Sequence, residues 1–557
     1  MNLLRKPFEL CSLHRFLVKG LVLLMFVAQE TFACTNLIVG KSASADGSTI
    51  VSYAADSYGL FGELYHYPAG SYPAGTMRDI YEWDTGKYLG KIEQARQTYN
   101  VIGNINEYQV TIGETTFGGR PELVDSIGII DYGSLIYIAL QRSHTAREAI
   151  DVMTGLVQKY GYYSSGESFS IADPNEIWIL EMTGKGPGVR GAVWVAVRIP
   201  DDCISAHANQ SRIHRFNMKD KNNCIYSPDV ISFARKKGYF SGADKDFSFA
   251  DAYAPLDFGA RRYCEARVWS FFNMFTNQGG AFLPYILGET NEPMPLYIKP
   301  NHKISVQEIK DAMRNHYEGT PLDMSQDFGA GIYKAPYRLT PLEFEVNGEK
   351  YFNERPISTQ QAGFVFVSQM RANKPNAIGG VLWFGMDDAN MTVFTPVYCC
   401  TDKIPPCYAK GEADYITFSW DSSFWIFNWV SNMVYPRYNL MIEDVRTVQK
   451  QLEDLFNEAQ EGIETAASHL YKQNPEEAKT FLTNYTAMTA QNTYGNWRRL
   501  GEYLIVKYND GVIKREKGGK FERNAIGRAT PVIRPGYPED FLKEYVKKTG
   551  DRYKIKE

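Results

Sequence analysis

The chain has 557 residues, 44% of them hydrophobic, 14% aromatic and 22% charged. This is ordinary globular composition and excludes both disorder and fibrous repeats. Lys and Arg number 60 against 64 Asp and Glu, so no basic field recruits phosphates and nucleic acid is excluded as an expected partner. A small molecule or a peptide is expected instead.

Arg5, Lys6, Arg15 and Lys19 precede the apolar run Leu21 to Ala28, and Thr31-Phe32-Ala33 ends on a small residue. This is the pattern of a secretory signal peptide over residues 1–33, with cleavage just before Cys34. The run falls short of the roughly 20 apolar residues that span a bilayer, and no later segment is longer. The protein is therefore expected to be exported, periplasmic or extracellular, and to have no membrane-spanning segment. In an oxidising compartment the expected use of Cys203, Cys224, Cys264, Cys399, Cys400 and Cys407 is disulfides, with Cys407 closing a short loop to Cys399 or Cys400. No Cys-x-x-Cys pair and no His-Glu-x-x-His occurs, so no metal is expected.

After Cys34, the segments Thr35 to Lys41 and Ser48 to Tyr53 read as strands joined at Asp46-Gly47, a two-residue hairpin signal. That register sets Ala45 opposite Ser48 and Leu37 opposite Asp56, which brings an acid to within roughly 10 Å of Cys34. Thr145-Ala-Arg-Glu148 is a capping box that opens a helix closed by Gly161, with Ala149, Ile150, Met153, Leu156 and Val157 at helical spacing. Strands are predicted at Ile177 to Met182 and Ala192 to Ile199. The intervening Gly184-Lys-Gly-Pro-Gly188 lacks the Gly-Lys-Ser/Thr ending of a phosphate cradle and reads as a hairpin loop. Further strands are expected at Gly363 to Val367, Gly380 to Phe384 and Thr392 to Val397, then an amphipathic helix from about Met441 to Tyr471. The C-terminal end carries an excess of Lys and Arg and reads as a solvated tail on the main body. The expected organisation is α+β: a catalytic domain over residues 34–435 and a helical extension, packed on it, over 436–557.

Cleavage before Cys34 leaves an α-amine and a thiol on one residue. The amine has a reference pKa of about 7.7 to 8.0, so near neutral pH a useful fraction can take the thiol proton. The rival reading is an acylated lipoprotein cysteine. A lipobox wants an aliphatic residue three places before the cysteine, where Thr31 stands.

The run from Cys34-Thr-Asn-Leu-Ile-Val-Gly through Asp46-Gly-Ser-Thr to Asp56-Ser57 closely resembles the start of the secreted cysteine dipeptidases of the N-terminal-nucleophile hydrolase superfamily. These are related to penicillin V acylase and choloylglycine hydrolase. The resemblance continues through Ser168-Phe-Ser-Ile-Ala-Asp173, Trp178-Ile-Leu-Glu-Met182, Pro200-Asp-Asp202, Ala208-Asn-Gln-Ser-Arg-Ile213 and Ala266-Arg-Val-Trp269. It implies an αββα sandwich in which the N-terminal cysteine attacks an amide carbonyl, with no cofactor. It also implies that Asp56 orients the α-amine, that Asn209 donates to the oxyanion, and that Arg267 lies near the nucleophile, where a positive charge favours thiolate. This chain departs from the pattern at Tyr53, where many relatives carry arginine. It departs again at Glu114-Thr115-Thr116, the register of the acylases' second oxyanion asparagine. Glu114 and Thr115 are read as substrate-binding, the carboxylate holding the ammonium of a peptide with a free N-terminus. Glu181 is read as structural.

The function expected is an exported dipeptidase acting on a dipeptide or small peptide, with oligomeric state left open, a homo-oligomer included. The alternatives are an amidase or acylase of the same superfamily and a lipid-anchored binding protein.

Overall fold

The computed structural model describes residues 34–556, so the expected signal peptide lies outside the described residues. Strand β1, Asn36–Val39, pairs antiparallel with β2, Thr49–Asp56, and both are buried along their whole length. Such strands, covered on both faces, read in sequence as continuous apolar runs rather than as alternation. The register differs from the one expected. Ile38 faces Val51, Val39 faces Ile50 and Thr35 faces Ala54, a slip of four residues. The cause is tertiary. Asp46 is no two-residue turn but an anchor, accepting hydrogen bonds from Ser44 Oγ, Ser48 N–H and Gln369 Nε2. The loop backbone also donates from Ser42 and Ala43 to Asp201 O and from Ala45 to Ile304 O. These bonds outweigh the local turn preference of Asp-Gly and lengthen the loop. The slip moves Asp56 from three residues away to directly beside Cys34.

The larger sheet is built on β3, Thr111–Gly118; β4, Gly166–Ala172; β5, Ile177–Gly184; and β6, Ala192–Ile199, paired consecutively and antiparallel. The glycine segment between β5 and β6 is the expected hairpin loop. Helices α1, Tyr132–Leu140, and α2, Ala146–Tyr160, cover one face of this sheet, where Ile150, Met153 and Val157 pack with Phe169, Ile171 and Leu180. Helix α2 starts as expected: the Thr145 hydroxyl accepts from Glu148 N–H at 3.2 Å, and Gly161 closes it at φ +81°. The Glu148 carboxylate reaches back to His144 N–H rather than to Thr145.

The other sheet runs β7–β1–β2–β8–β9–β10, where β7 is Ile204–His207, β8 Ala362–Met370, β9 Val381–Met386 and β10 Thr395–Tyr398, with Tyr297–Ile298 at the edge beside β7. The two sheets meet where β3 crosses β1 and β2. Gly113 makes this possible, because a Cβ there would fall 2.3 Å from Asn36 Oδ1. Helix α3, Ala266–Phe275, lies against β7. Three helices follow at the far edge: α4, Ser423–Val434; α5, Tyr438–Gln473; and α6, Pro475–Tyr508. Met441, Ile442, Val445, Leu452 and Phe456 of α5 enter the core. No helix among the described residues is long and apolar enough to cross a membrane.

The disulfide expectation is corrected: all seven described cysteines are unpaired. Cys399 and Cys400 follow β10 and are buried. The Cys399 thiol donates to Asn376 O at 3.1 Å.

Helix α5 is pinned by a buried charge. Glu464, 2% exposed, accepts from Arg371 Nη1 at 2.9 Å and Nη2 at 2.6 Å, from Tyr398 Oη at 3.3 Å and from Lys374 Nζ. Removing one partner of a buried ion pair leaves the other uncompensated and costs about 3–5 kcal/mol. Glu464→Ala is therefore expected to lower the unfolding midpoint in urea, and an unchanged midpoint would contradict this anchoring role.

Candidate active site

Thr35 faces Ala54 across the hairpin, so Cys34 comes opposite Ala55 at the end of β2. It is 5% exposed. The Asp56 N–H reaches its sulfur. The thiol also donates to Glu114 Oε1 at 3.3 Å and lies 3.6 Å from Tyr53 Oη, while Tyr53 Oη donates to the same Glu114 oxygen at 2.6 Å. Cysteine, phenol and carboxylate thus form a closed triangle. Glu114 is fixed from behind by Asn36 Nδ2, which donates to Glu114 O at 2.7 Å.

Arg267 joins the nucleophile segment to Asn209. Its Nη1 donates to Cys34 O at 2.6 Å and Thr35 Oγ1 at 2.7 Å, its Nη2 to Ala208 O at 2.8 Å and Asn209 Oδ1 at 2.9 Å, and its Nε to Tyr263 O at 2.6 Å. All five guanidinium protons are used. Asn209 follows β7 with φ +66°, a left-handed conformation that asparagine tolerates better than most residues. Its Nδ2 gives one proton to Thr116 O at 2.8 Å and has a second to give. Glu181 fixes the turn that follows, accepting from Arg212 N–H at 2.6 Å and Ile213 N–H at 3.2 Å, and from the Ser211 hydroxyl. Its reading as structural agrees with these bonds.

Asp56 is 2% exposed and meets Arg355 Nη2 at 3.5 Å. Burial pushes its carboxyl up to about 7, against the pull of Arg355 and then Arg267. Burial also raises the Cys34 thiol well above its ordinary value, and the Glu114 and Asp56 charges add to the rise. Glu114 is raised by burial, against the Tyr53 hydrogen bond. In this setting the thiol holds its proton until a cation or a base reaches it.

The fold therefore brings together Cys34, Asp56, Glu114, Asn209 and Arg267. Thr115 is turned away. Successive strand residues point to opposite faces, so with Glu114 aimed at Cys34, Thr115 faces between the sheets. There its hydroxyl meets His207 Nδ1 at 2.7 Å, and His207 Nε2 meets Ser170 Oγ at 2.6 Å. Burial lowers this imidazole to about 3, so it is neutral and structural.

Three neighbours escape sequence reasoning. Tyr53 stands out only as a departure and turns out to touch the thiol. Arg355, 299 positions after Asp56, has no local signal. Glu167 is the third: its side chain accepts from Thr116 Oγ1 at 2.7 Å. Its signal is legible in hindsight, as the lone acid in the alternation Glu167, Phe169, Ile171 on the face of β4 turned toward α1 and α2.

The chain matches Peptidase family C69 over residues 33–66 and 60–451. A probable dipeptidase of Salmonella dublin is 28% identical over 404 residues, covering 69% of this chain and 84% of that protein. A probable dipeptidase of Latilactobacillus sakei is 25% identical over 475 residues, covering 82% and 91%. Dipeptidase A of Lactobacillus helveticus is 24% identical over 451 residues, covering 76% and 85%. With the match spanning most of the chain and a buried cysteine at the junction of its two sheets, this protein belongs to peptidase family C69, a family of cysteine peptidases.

Proposed function

We propose that the protein is an exported dipeptidase built as the four-layer αββα sandwich of N-terminal-nucleophile hydrolases, with Cys34 as nucleophile once the bond to Ala33 is cut. Residues 34–435 form the catalytic domain in this reading, and 436–557 the helical extension packed on it. The observation that carries it is the triangle of Cys34, Tyr53 and Glu114, tied to Asn209 through the single Arg267 guanidinium. The relatives named dipeptidase support the substrate class.

The thiol gives its proton to the α-amine, which Asp56 orients, and sulfur attacks the scissile carbonyl carbon. Charge on the carbonyl oxygen is met by the second Asn209 N–H and a backbone N–H. Collapse breaks the C–N bond, the leaving amine takes the proton, and water then hydrolyses the thioester and restores the thiol. Glu114 receives the substrate ammonium one residue before the scissile bond. Thr115 has no side-chain role in this reading. The Cys34 thiol is buried and hydrogen-bonded to Glu114 rather than presented at the surface, which speaks against a lipid anchor.

The test compares a free dipeptide with its N-acetyl form in wild type and in Glu114→Gln. Loss of one charge-assisted contact costs about 1.5–3 kcal/mol, or roughly 10- to 150-fold in kcat/KM. Acetylation is expected to cost this in wild type and little in the variant. Undiminished discrimination in Glu114→Gln would show that Glu114 is not the ammonium anchor, and harmless acetylation in wild type would turn the reading toward an amidase or acylase.

A further inference from the structure

Resting on the ammonium reading of Glu114, we infer that Glu114 and Glu167 form a proton-sharing carboxyl pair which exchanges its proton for the substrate ammonium, making Glu167 a specificity-determining residue of the peptidase. The geometry starts from the strand register. Glu167 lies opposite Thr116 in the β3–β4 ladder, so it is the diagonal neighbour of Glu114 on one face of the sheet. Each is 1% exposed. Glu114 Oε1 is occupied by Tyr53 and Cys34, and Glu167 Oε1 by Thr116. The second oxygen of each, Glu114 Oε2 and Glu167 Oε2, is fully buried and meets no donor of another residue. The two carboxyl groups are within hydrogen-bonding reach of each other. Neither is in an ion pair among the described residues.

Two carboxylates this close and this dry cannot both ionise, and the stable state has one proton between them. Burial and the Glu114 charge raise Glu167 well above the usual carboxylate range, which gives it the proton. The groups that face the pair do not change that sign. They are Cys34 from the strand start, Tyr53 and Asp56 from β2, Tyr132 from α1, Tyr162 ahead of β4, and Asp84 at the exposed rim, whose carboxylate accepts from Tyr132 Oη at 2.9 Å. All are neutral or acidic. Arg267 and Arg355 lie on the other side of the cysteine, on Cys34 O and Asp56.

A substrate ammonium seated on Glu114 removes the reason for the shared proton. Glu167 then ionises, its O–H proton leaves to solvent, and the ammonium meets two carboxylates in place of one. The proton balance is one ammonium bound and one proton released, and no bond to carbon changes. The sign follows: below the pair's ionisation protons compete with the ammonium, so binding of a free dipeptide strengthens as pH rises. It weakens again only as the dipeptide's own amine deprotonates, at about pH 7.7–8.0. An N-acetyl dipeptide has no ammonium and shows no rising limb.

Titration calorimetry on processed Cys34→Ala protein, which binds without turnover, tests this in buffers of different ionisation enthalpy at about pH 6.5. A free dipeptide is expected to release about one proton per site and its N-acetyl form none. With Glu167→Gln added, release is expected to vanish and binding of the free dipeptide to weaken by about tenfold, because the amide stays neutral. Absence of proton release in the Cys34→Ala protein overturns the inference whether or not the Glu167 variant folds, and so does release that survives Glu167→Gln. The ammonium reading fails separately: if Glu114→Gln still prefers the free dipeptide over the N-acetyl form, Glu114 is not the anchor.

Discussion

Cys34→Ala is expected to abolish turnover while leaving the fold intact. The substitution removes one sulfur at the head of a buried strand, where the backbone is held by Arg267 through Cys34 O and by the Thr35–Ala54 bridge. None of these contacts uses the thiol. Glu114 loses the thiol as donor and keeps Tyr53 at 2.6 Å, so the stability cost is about 1 kcal/mol. The rate cost is of another order, because removing the nucleophile of a covalent mechanism costs on the order of a millionfold in kcat. Cys34→Ser should retain far less activity than wild type, since an alcohol beside Glu114 and Asp56 is harder still to deprotonate than the raised thiol. Steady-state assays on protein shown by mass to begin at residue 34, with thermal unfolding alongside, decide the matter. Activity of Cys34→Ala within about tenfold of wild type would remove Cys34 from the mechanism.

The residues behind that expectation were only partly legible in the sequence. Cys34, Asp56, Asn209 and Arg267 were reached through resemblance, and the fold brings all four together around Cys34 and Arg267. Composition and spacing alone do not reach Asn209, because its position depends on Glu181 binding the backbone two strands away. Local signals did well where the local chain decides. The Thr145 cap, the Gly161 stop and the β5–β6 hairpin depend on a few neighbouring residues and appear where expected.

They failed where distant segments compete. The Asp46-Gly47 hairpin gave way to bonds that the loop backbone donates to Asp201 O and Ile304 O. The cysteines, read as disulfides from the expected compartment, are unpaired, and all but the half-buried Cys264 are buried. Thr115 is read with Glu114 because both fall in the register of the acylases' second oxyanion asparagine, yet neighbours in a strand point to opposite faces. The same rule, applied to Glu167 and Phe169, would have marked Glu167 as a buried acid.

Electrostatics departs most from expectation. A positive residue near the cysteine was expected to favour thiolate, but Arg267 spends its protons on Cys34 O, Thr35 Oγ1, Ala208 O, Asn209 Oδ1 and Tyr263 O. The side chains that meet the sulfur are a carboxyl and a phenol, Glu114 and Tyr53. Burial and the Glu114 and Asp56 charges hold the thiol well above its ordinary value, and the proposed mechanism assigns the removal of its proton to the freed α-amine.

Arg267 thus carries geometry more than charge, and this sets the second large expectation. Arg267→Met, close in length and apolar, leaves five acceptors without their donor, of which Cys34 O, Thr35 Oγ1 and Ala208 O are buried. At about 1–3 kcal/mol for each buried group left unsatisfied, the loss is a large part of the 5–15 kcal/mol that typically holds a domain together. The variant is expected to be poorly folded. Arg267→Lys separates geometry from charge. A lysine ammonium keeps the positive charge and has three donors from one nitrogen, against five in a planar fork. It cannot bridge Cys34 O and Asn209 Oδ1 while also serving Ala208 O and Tyr263 O. With Asn209 unfixed at φ +66°, its oxyanion N–H is misplaced, and loss of one such donor costs about a hundred- to a thousandfold in kcat. Arg267→Lys should therefore fold, bind dipeptide with KM near wild type, and fall by that factor in kcat. A kcat near wild type would show that charge alone suffices, and a raised KM with unchanged kcat would move Arg267 from positioning the oxyanion donor to binding the substrate.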